Sequence, residues 1–186
     1  MTPKLRICSL LPIILKISWV DLNFGMCSSD KNSNDYLRLA GMYKLLVIER
    51  QDLDGIWHTE GWANGGDSYI VYDGKEHMAV QITPKGYKNF NWMDESSAID
   101  EEKVKLKTDS LSTEELKAAV KEFASCYTYF GNYSINDSGQ VTHERLASTI
   151  PVIWGTTVKR NYSFSGDTLT LINVADRRRL VWIRQN

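Results

Sequence analysis

His143 and Arg160 are the two residues of this chain whose type and setting most directly indicate chemistry. On a two-residue strand period, His143 shares a face with Val141, and Arg160 shares a face with Val158. A histidine in that setting is either hydrogen-bonded in a core or displayed in a cavity, and both alternatives stay open. A charge among apolar side chains needs a carboxylate, a cluster of acceptors, water or a ligand anion. Arg160 therefore either meets such a partner inside the fold or extends its charged end outward to water.

Aromatic and apolar residues on neighbouring strand faces complete a candidate binding site. Tyrosines would supply apolar walls with polar tips, and small-molecule sites combine apolar walls with few polar groups. We predict that the ligand-binding residues are Tyr129, Tyr133, His143, Arg160, Tyr162, Met78 and Val80.

No signature of a metal, nucleotide or serine-nucleophile site accompanies these residues. His58, His77 and His143 lack the paired spacing of zinc ligands. The chain has no G-x-S-x-G, Walker A or G-x-G-x-x-G motif, and no helix is predicted directly after "GWANGG" at 61–66. We therefore predict no metal and no cofactor, and assign no catalytic residue.

Nine short alternating or apolar runs separated by turn signals predict the scaffold that would position the site. Such a series is typical of an antiparallel sandwich or barrel. Turn-forming residues occur in "YDGK" at 72–75 and "NDSG" at 136–139, which predicts hairpins between neighbours. The predicted strands cover 41–50, 56–60, 68–73, 77–83, 126–135, 140–147, 156–164, 167–172 and 178–184.

One helix is predicted to interrupt this series. Ser112 and Glu115 form a capping-box pattern, and apolar residues follow at helical spacing, from Leu116 to Phe123. We expect this apolar face to lie against the sheet. The preceding stretch, 84–111, is charged and lacks clear periodicity, so it is either a lid or binding loop or a solvated excursion.

The overall charge argues against a nucleic-acid partner. Lys and Arg total 22 and Asp and Glu total 23, giving a formal net charge of -1. No broad basic surface is available to neutralise phosphates. The nine Tyr, six Trp and five Phe residues indicate a folded, strand-rich protein. No protein partner is predicted.

Residues 1–35 differ from the rest and are treated as an N-terminal extension to a domain at 36–186. Lys4 and Arg6 precede an apolar run, as in a secretion signal, and Cys27 precedes a polar stretch like the tether of a bacterial lipoprotein. The extension is either such a leader, with Cys27 as a membrane tether, or a disordered start. The protein is accordingly either exported or a lipid-anchored lipoprotein, or otherwise cytoplasmic.

Several segments in order resemble the lipocalin-like domain family over 39–186. The resemblance implies that Gly41 and Tyr43 correspond to the family's Gly-x-Trp, with Tyr replacing Trp, and that Trp182 and Arg184 lie in the closing strand. The segments are "LAGMYKLL" at 39–46, "GGDSYIVYDGKEHMAVQI" at 65–82, "YFGNYSI" at 129–135, "VTHERLASTIP" at 141–151, "WGTTVKR" at 154–160, "SGDTLTL" at 165–171 and "LVWIR" at 180–184.

This resemblance implies a mainly β fold, an antiparallel calycin or lipocalin-like β-barrel of about 8–10 strands with one helix packed against it. We predict that the barrel binds or carries a small, largely hydrophobic molecule. The alternative is a barrel enzyme for an isomerisation or cyclisation, with His143 as acid or base and Arg160 as anion stabiliser. A third alternative is a structural or interaction domain with a filled core.

Overall fold

The computed structural model describes residues 29–89 and 92–186. Within these residues, nine β-strands, four α-helices and two short 3-10 helices follow one another. In order they are α1 (Ser29–Leu39), β1 (Gly41–Gln51), β2 (Trp57–Thr59), β3 (Tyr69–Tyr72), β4 (His77–Ile82), a 3-10 helix (Tyr87–Asn89), α2 (Glu95–Ala98), α3 (Glu101–Asp109), α4 (Thr113–Ala124), β5 (Tyr127–Ile135), β6 (Gln140–Ser148), a 3-10 helix (Pro151–Ile153), β7 (Thr156–Ser165), β8 (Thr168–Asn173) and β9 (Arg178–Gln185).

Eight of the strands form a closed antiparallel barrel. The order β1-β3-β4-β5-β6-β7-β8-β9 closes through pairing between β1 and β9, and the short β2 pairs with the end of β1 beyond β3. All nine strands predicted from the sequence are present, and the predicted mainly β barrel is confirmed.

The alternation of side chains determines which residues face the barrel interior. Along β4, Met78, Val80 and Ile82 are buried while the residues between them are exposed. On β6 and β7 the inward positions pair directly across the strands, with Val141 opposite Arg160, His143 opposite Val158, and Arg145 opposite Thr156.

Two hairpin turns form as their sequences predict. Asp73 Oδ1 accepts hydrogen bonds from the backbone N–H groups of Lys75, Glu76 and His77 at 2.7–3.0 Å, which closes the turn between β3 and β4. Asn136 Oδ1 accepts from the backbone N–H groups of Ser138 and Gln140 between β5 and β6. These local bonds fix the register of the strands that carry the inward residues.

The end of the barrel where β1 begins, here called the base, is closed by α1. The Tyr43 hydroxyl donates to the Leu39 carbonyl at 3.0 Å, and Leu39 is fully buried. The Arg184 guanidinium lies over the Tyr43 ring at 4.6 Å and donates to the backbone carbonyls of Arg38 and Ala40. Tyr43 and Arg184 thus pack together at the position where the family resemblance placed an aromatic residue and a closing arginine.

The helices differ from the single packed helix expected from the sequence. α4 has the predicted capping box of Ser112 and Glu115, but of its apolar residues only Ala119 is buried, whereas Leu116, Val120 and Phe123 remain 38–59% exposed. The stretch before it, expected to be either a lid or binding loop or a solvated excursion, contains α2 and α3, capped by Asp94 and Asp100. α1 starts within the predicted extension, and residues 1–28, which include Cys27, lie outside the described residues.

Candidate ligand-binding cavity

A cavity of about 180 Å³ occupies the half of the barrel opposite the base. Its walls are mostly apolar because the inward positions of β1, β3, β4, β8 and β9 carry large aliphatic or aromatic side chains. Polar side chains come chiefly from β5, β6 and β7. The apolar lining consists of Ile48, Ile70, Val80, Ile82, Val158, Leu171, Leu180 and Trp182.

His143 lies at the polar wall of this cavity and is fully buried. Its Nε2 is 2.8 Å from the Tyr72 hydroxyl, and its Nδ1 is 2.8 Å from the Tyr129 hydroxyl and 3.0 Å from Arg160 Nη1. Burial, reinforced by the guanidinium groups of Arg160 and Arg145, lowers the pKa of His143 well below its ordinary value. The imidazole is therefore neutral at pH 7.

The partners of the ring determine which nitrogen carries the proton. A guanidinium only donates hydrogen bonds, so the contact from Arg160 requires Nδ1 to act as an acceptor. In the neutral ring the proton then lies on Nε2, which donates to the Tyr72 hydroxyl. Both ring nitrogens of His143 are thus occupied by protein groups.

Arg145 and Arg160 bring two positive charges to the same wall. Arg160 Nη1 also donates to the Tyr129 hydroxyl at 3.4 Å, and Arg145 donates to the hydroxyls of Tyr127, at 3.4 Å, and Thr156. Across residues 29–89 and 92–186, neither guanidinium has a carboxylate within 4.0 Å. Both arginines are therefore held by neutral hydroxyl and imidazole groups.

At the rim of the cavity, Arg178 Nε and Asp176 Oδ1 are buried without a hydrogen-bond partner within the described part of the chain, and so are three donors deeper in the cavity wall. These three donors are Nε of Arg145, Nε of Arg160 and Nε1 of Trp182. Buried donors in folded proteins are nearly always hydrogen-bonded, so unpaired ones require an explanation. The wall thus carries more donors than its own acceptors satisfy.

The mouth of the cavity lies at the end where β8 turns into β9. Trp62, Asn173, Asp176 and Arg178 line this rim, and Trp62 is 41% exposed. Arg178 Nε lies 2.8 Å from a Glu60 oxygen, and Arg50 Nε lies 2.6 Å from the other Glu60 oxygen. The Glu60 carboxylate is thereby engaged with two cations, whereas Asp176 lies 3.8 Å from Arg178 Nη1 through its other oxygen, Oδ2.

Four of the seven predicted site residues line the cavity: Val80, Tyr129, His143 and Arg160. The other three lie outside that lining. Met78 and Tyr133 are buried nearer the base, where the Tyr133 ring is 5.2 Å from Tyr36 of α1.

Tyr162, the third, packs edge-on against Phe164 with ring centroids 6.2 Å apart. Burial and a hydrogen bond to Asp35 raise the pKa of Tyr162 to about 12. It therefore interacts with α1 rather than with the cavity wall.

Several residues of the cavity were not predicted from the sequence. Arg145 follows His143 by two residues on β6 and was detectable from the strand period, as was Tyr127 two residues before Tyr129. Trp62 lies in a connection without periodicity, so no pattern identified it. Tyr72 was not identified as the partner of His143, because the two are 71 residues apart in sequence.

Among the described side chains, His, Cys, Asp and Glu residues form no group of three or more that could hold a metal ion. No helix within 29–89 and 92–186 is long and apolar enough to cross a bilayer.

The chain is similar to known proteins both in its sequence profile and in its fold. The profile of the lipocalin-like domain matches residues 40–180. The crystal structure of a lipocalin-like protein from Bacteroides uniformis ATCC 8492 is similar at a TM-score of 0.40 and 13% sequence identity, covering 79% of this chain and 98% of that chain. The comparison with curated proteins found no match.

Proposed function

We propose, from the premise that this chain belongs to the lipocalin-like domain family, that it binds a small, largely hydrophobic molecule inside its barrel. The family and the barrel fold are consistent with small-molecule binding in general. The observation that supports the finer statement is the cavity of about 180 Å³, with apolar walls and a few polar groups on one side.

The size of the cavity limits the ligand. An engineered apolar cavity of about 150 Å³ in another protein takes up benzene. A cavity of about 180 Å³ therefore suits a substituted benzene or a molecule of similar bulk, with further atoms extending toward the rim. A long acyl chain would not fit within the lining without protruding.

The surroundings of His143 give less support to the enzyme alternative. A general base needs a free nitrogen within hydrogen-bond reach of the proton it moves. Both nitrogens of His143 are bonded to protein groups, and the lowered pKa makes the ring a weak base. The hollow half of the barrel also gives less support to a filled structural core. Binding is thus the function that the site supports best.

Filling the cavity tests this proposal. Val158 lines the cavity, and its neighbour Thr157 faces solvent on the same strand. We expect Val158→Phe to weaken binding of small substituted benzenes at least about 10-fold by occupying their space, and Thr157→Phe to leave binding unchanged. Isothermal titration calorimetry with 4-ethylbenzamide and 4-ethylbenzoate measures both variants.

Native mass spectrometry of the purified protein provides an independent readout, namely the mass of any molecule that co-purifies. If neither compound binds the wild type and nothing co-purifies, the proposal is wrong. It is also wrong if the two phenylalanine variants bind the compounds equally well, because binding would then lie outside the barrel.

A further inference from the structure

We propose that the ligand is a small organic acid, and that Arg145 and Arg160 bind its carboxylate while the apolar wall holds its body. This inference rests on the proposed binding function and adds the chemical class of the molecule. Three observations support it: the unpaired donors of the cavity wall, the common location of the two arginines, and the positive charge of the wall.

The unpaired groups of the inner wall are all donors, whereas an unpaired acceptor of the cavity, Asp176 Oδ1, lies at the rim. Nε of Arg145, Nε of Arg160 and Nε1 of Trp182 are buried without partners in the described residues. Each can donate a hydrogen bond and none can accept one. A ligand that satisfies them must present acceptors, as a carboxylate does with its two oxygens.

The two arginines approach the same part of the cavity. Arg145 donates to the Tyr127 hydroxyl and Arg160 donates to the Tyr129 hydroxyl. These tyrosines are inward neighbours on β5, and their rings lie edge to face with centroids 5.6 Å apart. The two guanidinium groups are therefore fixed side by side by two adjacent phenols.

Among the described residues, no carboxylate pairs with the two arginines of this wall. A buried cation is costly unless it is paired. Glu60 and Asp176, the acidic residues near the rim, form ion pairs with Arg50 and Arg178 instead. His143 is neutral and accepts from Arg160, so it contributes no negative charge. An anionic ligand group would supply the missing counter-charge.

A carboxylate fits these donors in shape as well as in charge. The guanidinium group is planar, and its N–H donors match the two oxygens of a carboxylate. The apolar wall of Ile70, Val80 and Leu171 lies in the same cavity and suits an aliphatic or aromatic body. The site thus has a cationic side and an apolar side, as a small amphipathic acid requires.

A pair of compounds of nearly identical shape tests the inference without altering the protein. 4-Ethylbenzoate and 4-ethylbenzamide differ in charge and in one donor group. Charge-assisted hydrogen bonds are stronger than neutral ones, so we expect the benzoate to bind at least about 10-fold more tightly at pH 7.5 in isothermal titration calorimetry.

Variants then assign the preference to the two arginines. We expect Arg145→Met and Arg160→Met each to reduce benzoate affinity at least about 10-fold and to reduce amide affinity by a smaller factor, because the amide carbonyl accepts hydrogen bonds but carries no charge. The matched control is Lys159→Met, which removes one positive charge from the solvent face of β7 next to Arg160. It should retain the wild-type preference.

The outcomes separate this inference from the function on which it rests. If the two compounds bind the wild type with equal affinity and Val158→Phe abolishes the binding of both, the proposed binding function is supported but the carboxylate assignment is wrong. A preference for the benzoate that survives in both arginine variants would also overturn it. Circular dichroism of each variant verifies folding, and the comparison of the two compounds on wild-type protein stands even if a variant does not fold.

Discussion

At the scale of single residues, the main feature is a buried imidazole held between two phenols and a guanidinium. Tyr72 and Tyr129 bond to the two nitrogens of His143, and Arg160 directs an N–H at the same nitrogen as Tyr129. Burial raises the pKa of both tyrosines, so their hydroxyls stay protonated. The group is therefore a set of neutral hydrogen-bonding partners around one cation.

His143 makes the stability of the protein depend on pH. Its pKa is lower in the folded state than the ordinary value of about 6.5 that applies to the unfolded chain. Below pH 6.5 the unfolded chain binds a proton that the folded protein does not, so the free energy of unfolding falls as pH falls. We expect a loss of about 1.4 kcal/mol between pH 7.5 and pH 5.5, measured by urea denaturation.

The corresponding variant isolates this effect. His143→Gln should be less stable at pH 7.5, because its neighbours lose their partner, but it should lack most of the loss between pH 7.5 and 5.5. A wild type whose stability does not change over this range would contradict the assignment of His143 as a neutral buried residue.

The sequence predicted the faces of these residues but not their partners. The two-residue period placed His143, Arg160 and Tyr129 on inward faces because each strand alternates regularly. The contact between Tyr72 and His143 depends on how distant strands pair around the barrel. Sequence periodicity contains no information about which residues of distant strands come into contact, so it does not predict this hydrogen-bonded group.

At the scale of elements, α1 closes the base of the barrel through one buried leucine and a set of polar contacts. Leu39 is fully buried, whereas Leu37 of the same helix is 66% exposed. The Tyr36 hydroxyl accepts a hydrogen bond from the backbone N–H of Ile135 at 3.3 Å, which joins the helix to β5. The helix is thus part of the core at one position and solvent-facing at another.

A matched pair of leucine substitutions tests the role of α1. Leu39→Ala should lower the free energy of unfolding by about 2–5 kcal/mol, because it removes buried methyl groups and leaves a cavity. Leu37→Ala should change it by less than about 0.5 kcal/mol. Urea denaturation at pH 7.5 measures both. Equal effects of the two substitutions would contradict the packing of α1 against the barrel.

The elements also differ in how well they could be predicted from the sequence. Most strands alternate along much of their length and are bounded by turn residues, so each was predicted within a few residues of its observed ends. α2 and α3 lack an apolar stripe. The sequence therefore does not distinguish their capping residues, Asp94 and Asp100, from the other charged residues of the connection. Helices without an apolar period are hard to recognise from sequence alone.

At the scale of the whole molecule, one barrel combines a packed half and a hollow half. Tyr43, Tyr72 and Tyr133 fill the half near α1, whereas the cavity of about 180 Å³ occupies the half near the rim. The sequence resemblance predicted a barrel, and the alternation predicted apolar inward faces. The division into halves depends on how large side chains from different strands meet, which no single strand reveals.

Closure of the base by α1 leaves the rim near Trp62 and Arg178 as the route for a bound molecule, within the described residues. A second ligand therefore cannot enter from the base while the first is bound, and the first must leave through the rim before the second can bind. We expect the rate constant for displacement, measured by stopped-flow tryptophan fluorescence, to stay constant as competitor concentration rises; a rate that rises in proportion would contradict this. The rate of ligand release would then be set by the protein alone, whereas the rate of rebinding would depend on the concentration of free ligand.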